Sequence, residues 1–298
     1  MQDELALSRQ KRLAFLALLL GAAAIAFSPI FVRLSELGPI STAFYRVFLA
    51  LPALWIWMSF LAQRQQGARK PSSRNDYGRL ILAGLFFAGD LSFWHWSINL
   101  TSVANSTVLA NAAPIFVTLA AFVMFKERFS RLFLIGLVCA IAGIILLMGD
   151  SLNLGGTNLL GDSLGVITAM FYAAYILAVG KLREEFSTAT VMAWSGAVSS
   201  VVLLVVTWVS GESFMATSMF GWLMLLGLAL FSHAGGQSLI AYSLAHLPAA
   251  MGSVGLLSQP VLAALMAWIL FGEALGALQM LGGFAILAGI YLARRGSS

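Results

Sequence analysis

Residues 13–32 read LAFLALLLGAAAIAFSPIFV, a run without a single charged side chain. A helix needs about 20 apolar residues to cross the hydrocarbon core of a bilayer. The run is too long for a barrel strand and does not alternate apolar with polar residues as such a strand does. Arg9, Lys11 and Arg12 precede it as in a signal peptide, but its apolar core is too long for one, so we expect a retained first helix.

Nine similar runs follow, so the sequence predicts an all-α integral membrane protein with ten transmembrane helices. The chain is 60% hydrophobic and 10% charged, whereas a soluble domain carries roughly a quarter charged residues. The predicted spans are Leu13–Val32, Ile40–Ala62, Leu80–Ile98, Val103–Phe125, Leu132–Met148, Leu164–Val179, Ala189–Val209, Phe220–Ala241, Ala249–Phe271 and Leu278–Ala293.

The distribution of basic residues predicts the orientation of the chain. If both termini are cytoplasmic, 15 of the 17 lysines and arginines lie on the cytoplasmic side, whereas Arg33 lies outside and Arg46 within the second span. The positive-inside rule therefore favours cytoplasmic termini. The net charge of +5 is a topology signal rather than evidence for a nucleic-acid partner.

An internal repeat divides the sequence into two halves. With a shift of 146 residues, Ala104–Met148 aligns without gaps on Ala250–Arg294, and 13 of the 45 pairs are identical. Five helices per repeat give the second copy the opposite orientation, and inverted repeats are typical of secondary transporters that alternate between inward- and outward-facing shapes. We expect repeats at 1–149 and 150–298 that enclose a central cavity.

Ionisable groups inside predicted spans are costly and usually face the interior of the helix bundle. Asp90 and His233 lie near the middle of the corresponding third and eighth spans, so both could reach the cavity. Asp90 could bind a substrate ammonium group or carry a proton, and Arg46 could bind a carboxylate. Alternatively, Asp90 pairs with Arg46 or is protonated in a structural role. For His95, near a helix end, we favour a structural role.

Aromatic and amide side chains complete the predicted cavity lining, although interfacial belts and helix packing are alternative roles for them. The predicted lining residues are Phe27, Tyr45, Asp90, Trp94, Asn111, Tyr172, Tyr175, His233 and Gln259. Prolines free a carbonyl in the preceding turn, and we expect hinges at Pro29, Pro114 and Pro260.

Two further patterns concern helix packing and helix ends. Glycines recur in the fifth and tenth spans, which predicts that these helices pack closely on each other or on a second copy of the chain. Glu127 and Glu273 precede these two helices, and we expect each carboxylate to cap the N-terminus that follows.

The segment NAAPIFVTLAAFVMFKERFS at residues 111–130, with its echoes at Pro260, Phe271 and Glu273, resembles the ten-helix EamA-type branch of the drug/metabolite transporter superfamily. The resemblance covers roughly Leu13 to Arg295. It implies ten helices around a cavity lined mainly by helices one, three, four, six, eight and nine, and export of metabolites, commonly amino acids, across a bacterial inner membrane. The aromatic-rich cavity is similar to that of the YddG-type amino-acid exporters, and Asp90 is a departure from a purely neutral cavity.

We therefore expect a secondary transporter that exports amino acids, including aromatic or other bulky ones, or related small metabolites. The alternatives are a drug or nucleotide-sugar type of carrier and a passive channel. Asp90 follows Phe87-Ala88-Gly89 and so lacks the Gly-x-Gly-Asp of presenilin-like proteases, and no acidic cluster suits Mg²⁺. We expect no enzyme activity, no cofactor and no metal. The expected partners are a small-molecule substrate and membrane lipid, with the chain a monomer or a homodimer.

Overall fold

The computed structural model describes residues 2–64, 69–101, 103–149, 158–272 and 275–297. The helices are α1 (Gln2–Ala26), α2 (Ser28–Leu34), α3 (Pro39–Phe48), α4 (Leu51–Arg64), α5 (Arg74–Leu100), α6 (Val103–Ala110), α7 (Ala113–Phe125), α8 (Arg131–Met148), α9 (Leu159–Arg183), α10 (Thr188–Ser210), α11 (Met219–Gly227), a π-helix (Leu228–Gln237), α12 (Ser238–Ser243), α13 (Ala249–Leu256), α14 (Ser258–Phe271) and α15 (Ala277–Gly296).

Within these described ranges, nine helical stretches are long and apolar enough to cross a membrane, and α5 is the tenth. Because α5 carries Asp90 and His95 within its apolar run, its hydropathy is lower than that of the other spans. The predicted all-α fold with ten spans is confirmed. The sixth span extends beyond the predicted Leu164–Val179 to Leu159–Arg183, with Asp162 in its first turn and two basic residues in its last turn, where each charge complements the helix dipole.

Four of the described spans are interrupted within a few residues before a proline. The first span breaks at Phe27 before Pro29, and the fourth breaks at residues 111–112 before Pro114. The ninth breaks at Leu257 before Pro260. The second span breaks between α3 and α4, next to Pro52, a break that the sequence analysis did not predict.

The helices form two compact units. The first contains residues 1–92 and 177–247, and the second contains residues 93–176 and 248–298. Each unit therefore combines segments from both sequence repeats. In the first unit, α1 crosses the π-helix so closely that a side chain at Gly21 would meet the carbonyl oxygen of Gly236 at 2.7 Å, and Ser232 Oγ donates to the carbonyl of Ala24 at 2.9 Å.

The second unit is built around an antiparallel pair, α8 and α15. A Cβ atom at Gly143 would lie 2.7 Å from the carbonyl oxygen of Gly282, and one at Gly136 would lie 2.6 Å from that of Gly289. At the centre of the crossing, Cys139 Sγ donates to the carbonyl of Ala285 at 3.4 Å, and these two residues are repeat equivalents, 146 positions apart. The predicted packing of the fifth and tenth spans is confirmed, and their glycine faces are used within the chain.

The predicted cap of α8 by Glu127 is wrong. Ser130 is the N-cap residue, and its hydroxyl accepts a hydrogen bond from the backbone N–H of Phe133 at 3.1 Å. Lys126, with a φ of 56°, ends α7, and Glu127 then lies too early in the connection to take the capping position. The second predicted cap, Glu273, lies outside the described residues.

Candidate functional site

A group of ionisable side chains lies in the interior of the first unit. Asp90 on α5 is partly buried, and within the described residues it makes no hydrogen bond or ion pair. The positive charge of Arg46 on α3 acts on Asp90 and also on His233. The guanidinium group of Arg46 therefore lies within electrostatic range of both Asp90 and His233, and their access to a common cavity stays a prediction.

His233 lies in the π-helix, and its side chain is 1% exposed. Its ring stacks on Phe87, with 5.4 Å between ring centroids and 21° between planes. Among the described residues neither ring nitrogen has a hydrogen-bond partner. A buried polar group without a partner is costly, and π-helical turns are frequent at functional sites. His233 is therefore the second candidate for a ligand contact in this unit.

The other two predicted lining residues of the first unit lie elsewhere. Phe27 sits at the break between α1 and α2 and packs edge-on against Phe231, 5.4 Å between centroids. Tyr45 donates its hydroxyl to the carbonyl of Phe214 at 2.7 Å and packs against Trp222. Its hydrogen bond holds the connection between α10 and α11, so in this structure Tyr45 has an evident packing role.

In the second unit, two of the three aromatic residues predicted to line the cavity lie next to each other. Tyr172 and Tyr175 on α9 have nearly parallel rings with centroids 6.4 Å apart; Tyr175 is buried and Tyr172 is partly exposed. Trp94 is partly exposed and meets the ring of His95 edge-on at 4.9 Å. Because Trp94 follows Asp90 by four residues on α5, the two side chains lie on the same face of that helix.

The predicted amides lie at the helix breaks of the second unit. Asn111 donates to the carbonyl of Thr107 at 2.8 Å and so satisfies the end of α6. The side-chain nitrogen of Gln259, at the start of α14, is buried and has no hydrogen-bond partner in the described part of the chain. Pro114 and Pro260 follow these amides, and a hinge role for them and for Pro29 stays a prediction.

Two sets of polar contacts at the ends of the first unit were not predicted from the sequence. At the predicted outer end, Glu36 accepts hydrogen bonds from the backbone and hydroxyl groups of Thr217 and Ser218, just before α11. The hydroxyl of Ser218 and then that of Thr217 lower the pKa of Glu36 from 4.5 to about 2. Glu212 in turn accepts from the backbone N–H of Ser41 in α3 at 2.8 Å. The connection between α2 and α3 and the connection between α10 and α11 are therefore held together by these hydrogen bonds.

At the predicted inner end, a network of ion pairs connects the start of α5 and the segment before it with Glu185, just after α9. Arg79 pairs with Glu185 at 2.7 Å and with Asp76 at 3.2 Å, and Arg69 contacts both acids. Backbone N–H groups of Ser72 and Ser73 hold the pKa of Asp76 well below its ordinary value. Glu185 lies more than 100 residues from both Arg69 and Arg79 in the chain. No local sequence pattern therefore indicates these two ion pairs.

Comparison with known proteins identifies the fold's family. The model of the EamA-like transporter family matches residues 12–149 and, separately, residues 159–295. The chain belongs to the EamA-like transporter family. The EamA match covers both sequence repeats, and the family lies within the drug/metabolite transporter superfamily that the sequence resembles.

EamA relatives occur in archaea and bacteria. An "uncharacterized transporter" of Archaeoglobus fulgidus is 25% identical over 291 residues, covering 96% of this chain and 97% of the relative. The "uncharacterized transporter YdfC" of Bacillus subtilis is 26% identical over 284 residues, covering 92% and 88%. One solved crystal structure matches with a TM-score of 0.77 and 19% identity, covering 98% of this chain and 99% of that one, and this likeness concerns the fold alone.

Membership in the EamA family establishes the general function. The protein is a multi-pass membrane transporter, not an enzyme, and its partners are a small-molecule substrate and membrane lipid. The expected two inverted repeats agree with the EamA fold.

Proposed function

We propose that this EamA transporter exports amino acids or closely related zwitterionic metabolites from the bacterial cytoplasm. Asp90 binds the substrate's ammonium group and Arg46 its carboxylate. The observation that carries the proposal is the state of Asp90, an intramembrane carboxylate that is partly exposed and has no hydrogen bond or ion pair among the described residues.

A zwitterion suits this pair of charges for a physical reason. A carboxylate at membrane depth is costly unless an opposite charge compensates it. The positive charge of Arg46 acts on Asp90, and Asp90 itself makes no hydrogen bond or ion pair among the described residues. A substrate with both charges can contact both groups while keeping the net charge of the unit unchanged.

Aromatic side chains support the inclusion of bulky substrates. Trp94 shares a helix face with Asp90, one turn further along α5. Phe87, on the same helix, stacks on His233. Phe27, Tyr45, Asn111, Tyr172, Tyr175 and Gln259 stay in the proposed lining on the sequence argument given above.

The mechanism proposed is alternating access between repeats 1–149 and 150–298, with both termini in the cytoplasm and the protein in the inner membrane. The meeting of repeat equivalents Cys139 and Ala285 supports an inverted relation between the halves. Because the glycine faces of α8 and α15 are used within the chain, a monomer suffices for this mechanism.

The test is counterflow into liposomes that contain the purified protein and no imposed gradient. We expect saturable uptake of labelled amino acids that is accelerated by unlabelled amino acid inside. Uptake that neither saturates nor is accelerated would favour a channel, and the alternating-access mechanism would then be wrong. Competition by nucleotides or drugs alone would favour the other carrier types of the superfamily, and the amino-acid proposal would then be wrong.

Variants locate the binding groups. Asp90→Asn should raise the apparent KM by at least about tenfold, since a hydrogen bond to a charged group contributes about 1.5–3 kcal/mol. Trp94→Ala should slow transport of bulky amino acids more than that of small ones. The matched controls are Glu184→Gln, at an exposed acid, and Trp208→Ala, at a side chain that is 76% exposed. If Asp90→Asn behaves like Glu184→Gln, Asp90 does not bind the substrate.

A further inference from the structure

Two basic segments of the second unit meet at one end of the α8–α15 pair. Ser130 Oγ donates a hydrogen bond to the carbonyl of Gly296 at 2.7 Å. This contact joins the connection before α8 to the end of α15. The exposed cations on these two segments are Lys126, Arg128, Arg131, Arg294 and Arg295.

The combined charge of these segments is strongly positive. Five cations and one acid, Glu127, give the two segments a net charge of +4. At the other end of the same helix pair, the positions equivalent to Lys126 and Arg131 are Gly272 and Ala277. The charge is therefore concentrated at the end that the positive-inside rule predicts to be cytoplasmic.

Exposed apolar side chains continue from this basic end along both helices. Ile135 and Val138 on α8 are 58% and 68% exposed, and Phe284 and Tyr291 on α15 are 72% and 53% exposed. The guanidinium of Arg295 lies over the ring of Tyr291, 4.9 Å from its centroid. Tyrosine is enriched at the membrane interface, so this contact places a phosphate-binding group at headgroup level.

We propose that the basic end of the α8–α15 pair binds an anionic phospholipid. Arg128, Arg131 and Arg295 contact the headgroup phosphate, and the acyl chains lie along the exposed apolar side chains of the two helices. A soluble anion would use the cations but not the apolar surface. A second copy of the chain in the same orientation would place a +4 end against another +4 end, which like-charge repulsion disfavours.

Native mass spectrometry of the purified protein, titrated with phosphatidylglycerol or phosphatidylcholine in detergent, tests the proposal. We expect phosphatidylglycerol to bind and phosphatidylcholine to bind at least tenfold more weakly. The triple variant Arg128→Gln, Arg131→Gln, Arg295→Gln should lose roughly 100-fold in affinity for phosphatidylglycerol, since each cation near a membrane surface contributes about fivefold.

Two control variants distinguish binding at a specific lipid site from a general effect of the protein's positive charge. Arg9→Gln, Lys11→Gln, Arg12→Gln removes the same charge elsewhere on the predicted inner side and should change affinity by less than about threefold. Arg128→Lys, Arg131→Lys, Arg295→Lys keeps the charge and should bind within about tenfold of the parent. If the triple glutamine variant does not fold, Arg295→Gln alone decides, with a loss of about fivefold expected.

Four results would overturn the proposal. Equal binding of the two lipids would remove the need for an anion. An equal loss of phosphatidylglycerol affinity in the control variant at residues 9–12 would show that only the overall charge of the protein matters. Displacement of the lipid by millimolar glycerol phosphate would identify a soluble-anion site, and a dimer that phosphatidylglycerol does not disturb, with no lipid bound, would assign the surface to a second copy.

Discussion

Substitution of Gly143 by alanine tests the packing of α8 on α15 with the smallest possible change. The added Cβ atom would lie 2.7 Å from both the carbonyl oxygen of Gly282 and the backbone nitrogen of Ile286, and 2.8 Å from Ile286 Cγ1. Two of these three atoms belong to the backbone, so a rotamer change cannot relieve the contacts. The helices themselves must separate.

The size of the separation sets the size of the effect. Ordinary contact begins at 3.4 Å, so the backbones must move apart by about 0.7 Å, which is the difference from 2.7 Å. A gap of 0.5–1 Å forfeits a quarter to a half of the dispersion energy of each contact it opens. Overpacked interiors lose about 1–3 kcal/mol, and we expect a value near the upper end because the contact residues recur along the whole crossing.

The assay is thermal unfolding in detergent, read as an apparent melting temperature. A loss of about 2–3 kcal/mol corresponds to a fall of roughly 3–5 °C for a chain of this size. The control is Gly180→Ala in α9, where a Cβ atom has no neighbour within 4 Å and alanine favours the helix by about 1 kcal/mol. If the two variants melt at the same temperature, α8 and α15 do not pack as described.

Three further predictions concern the ends of the first unit. The pKa of Glu36 is lowered from 4.5 to about 2, so its stabilising contribution is complete above pH 4.5 and is lost as the pH falls through 2. The melting temperatures of the parent and Glu36→Gln should therefore differ at pH 7, approach each other below pH 4.5 and converge at about pH 2. Tyr45→Phe removes the hydrogen bond to Phe214 and should cost about 1 kcal/mol of stability, read as a fall in melting temperature; an unchanged melting temperature would contradict the packing role of this hydroxyl. Glu185→Gln breaks the exposed ion pairs with two arginines, so its melting temperature should approach that of the parent as salt is raised from 0.05 to about 1 M; a difference that salt leaves unaltered would contradict this explanation.

The spans could be predicted from the sequence because each helix that crosses the bilayer needs an uninterrupted run of about 20 apolar residues. Apolar run length located the ten helices, and prolines located the breaks at Phe27, before Pro114 and before Pro260. The same rule could have found the break beside Pro52, since that proline also follows the interruption. Glycine spacing predicted the α8–α15 crossing because close backbone approach depends on residue size alone.

The remaining contacts depend on partners that are distant in sequence. Glu36 meets Ser218, 182 residues away, and nothing near Glu36 indicates that partner. Tyr45 was predicted to line a cavity from its residue type, yet its hydroxyl is occupied by Phe214, 169 residues away. The π-helix around His233 arises where the helix packs on α1, which no local propensity encodes.

The α8–α15 crossing also has a consequence for the biogenesis of the protein. α8 is complete once residue 148 has been synthesised, but its glycine face packs on α15, which begins only at residue 277. During translation at about 5–20 residues per second, that face is open to other helices for roughly the time needed to make 130 residues. A chain terminated shortly before α15 leaves Gly136 and Gly143 without their partners, so a late stop codon is expected to be as damaging to assembly as an early one.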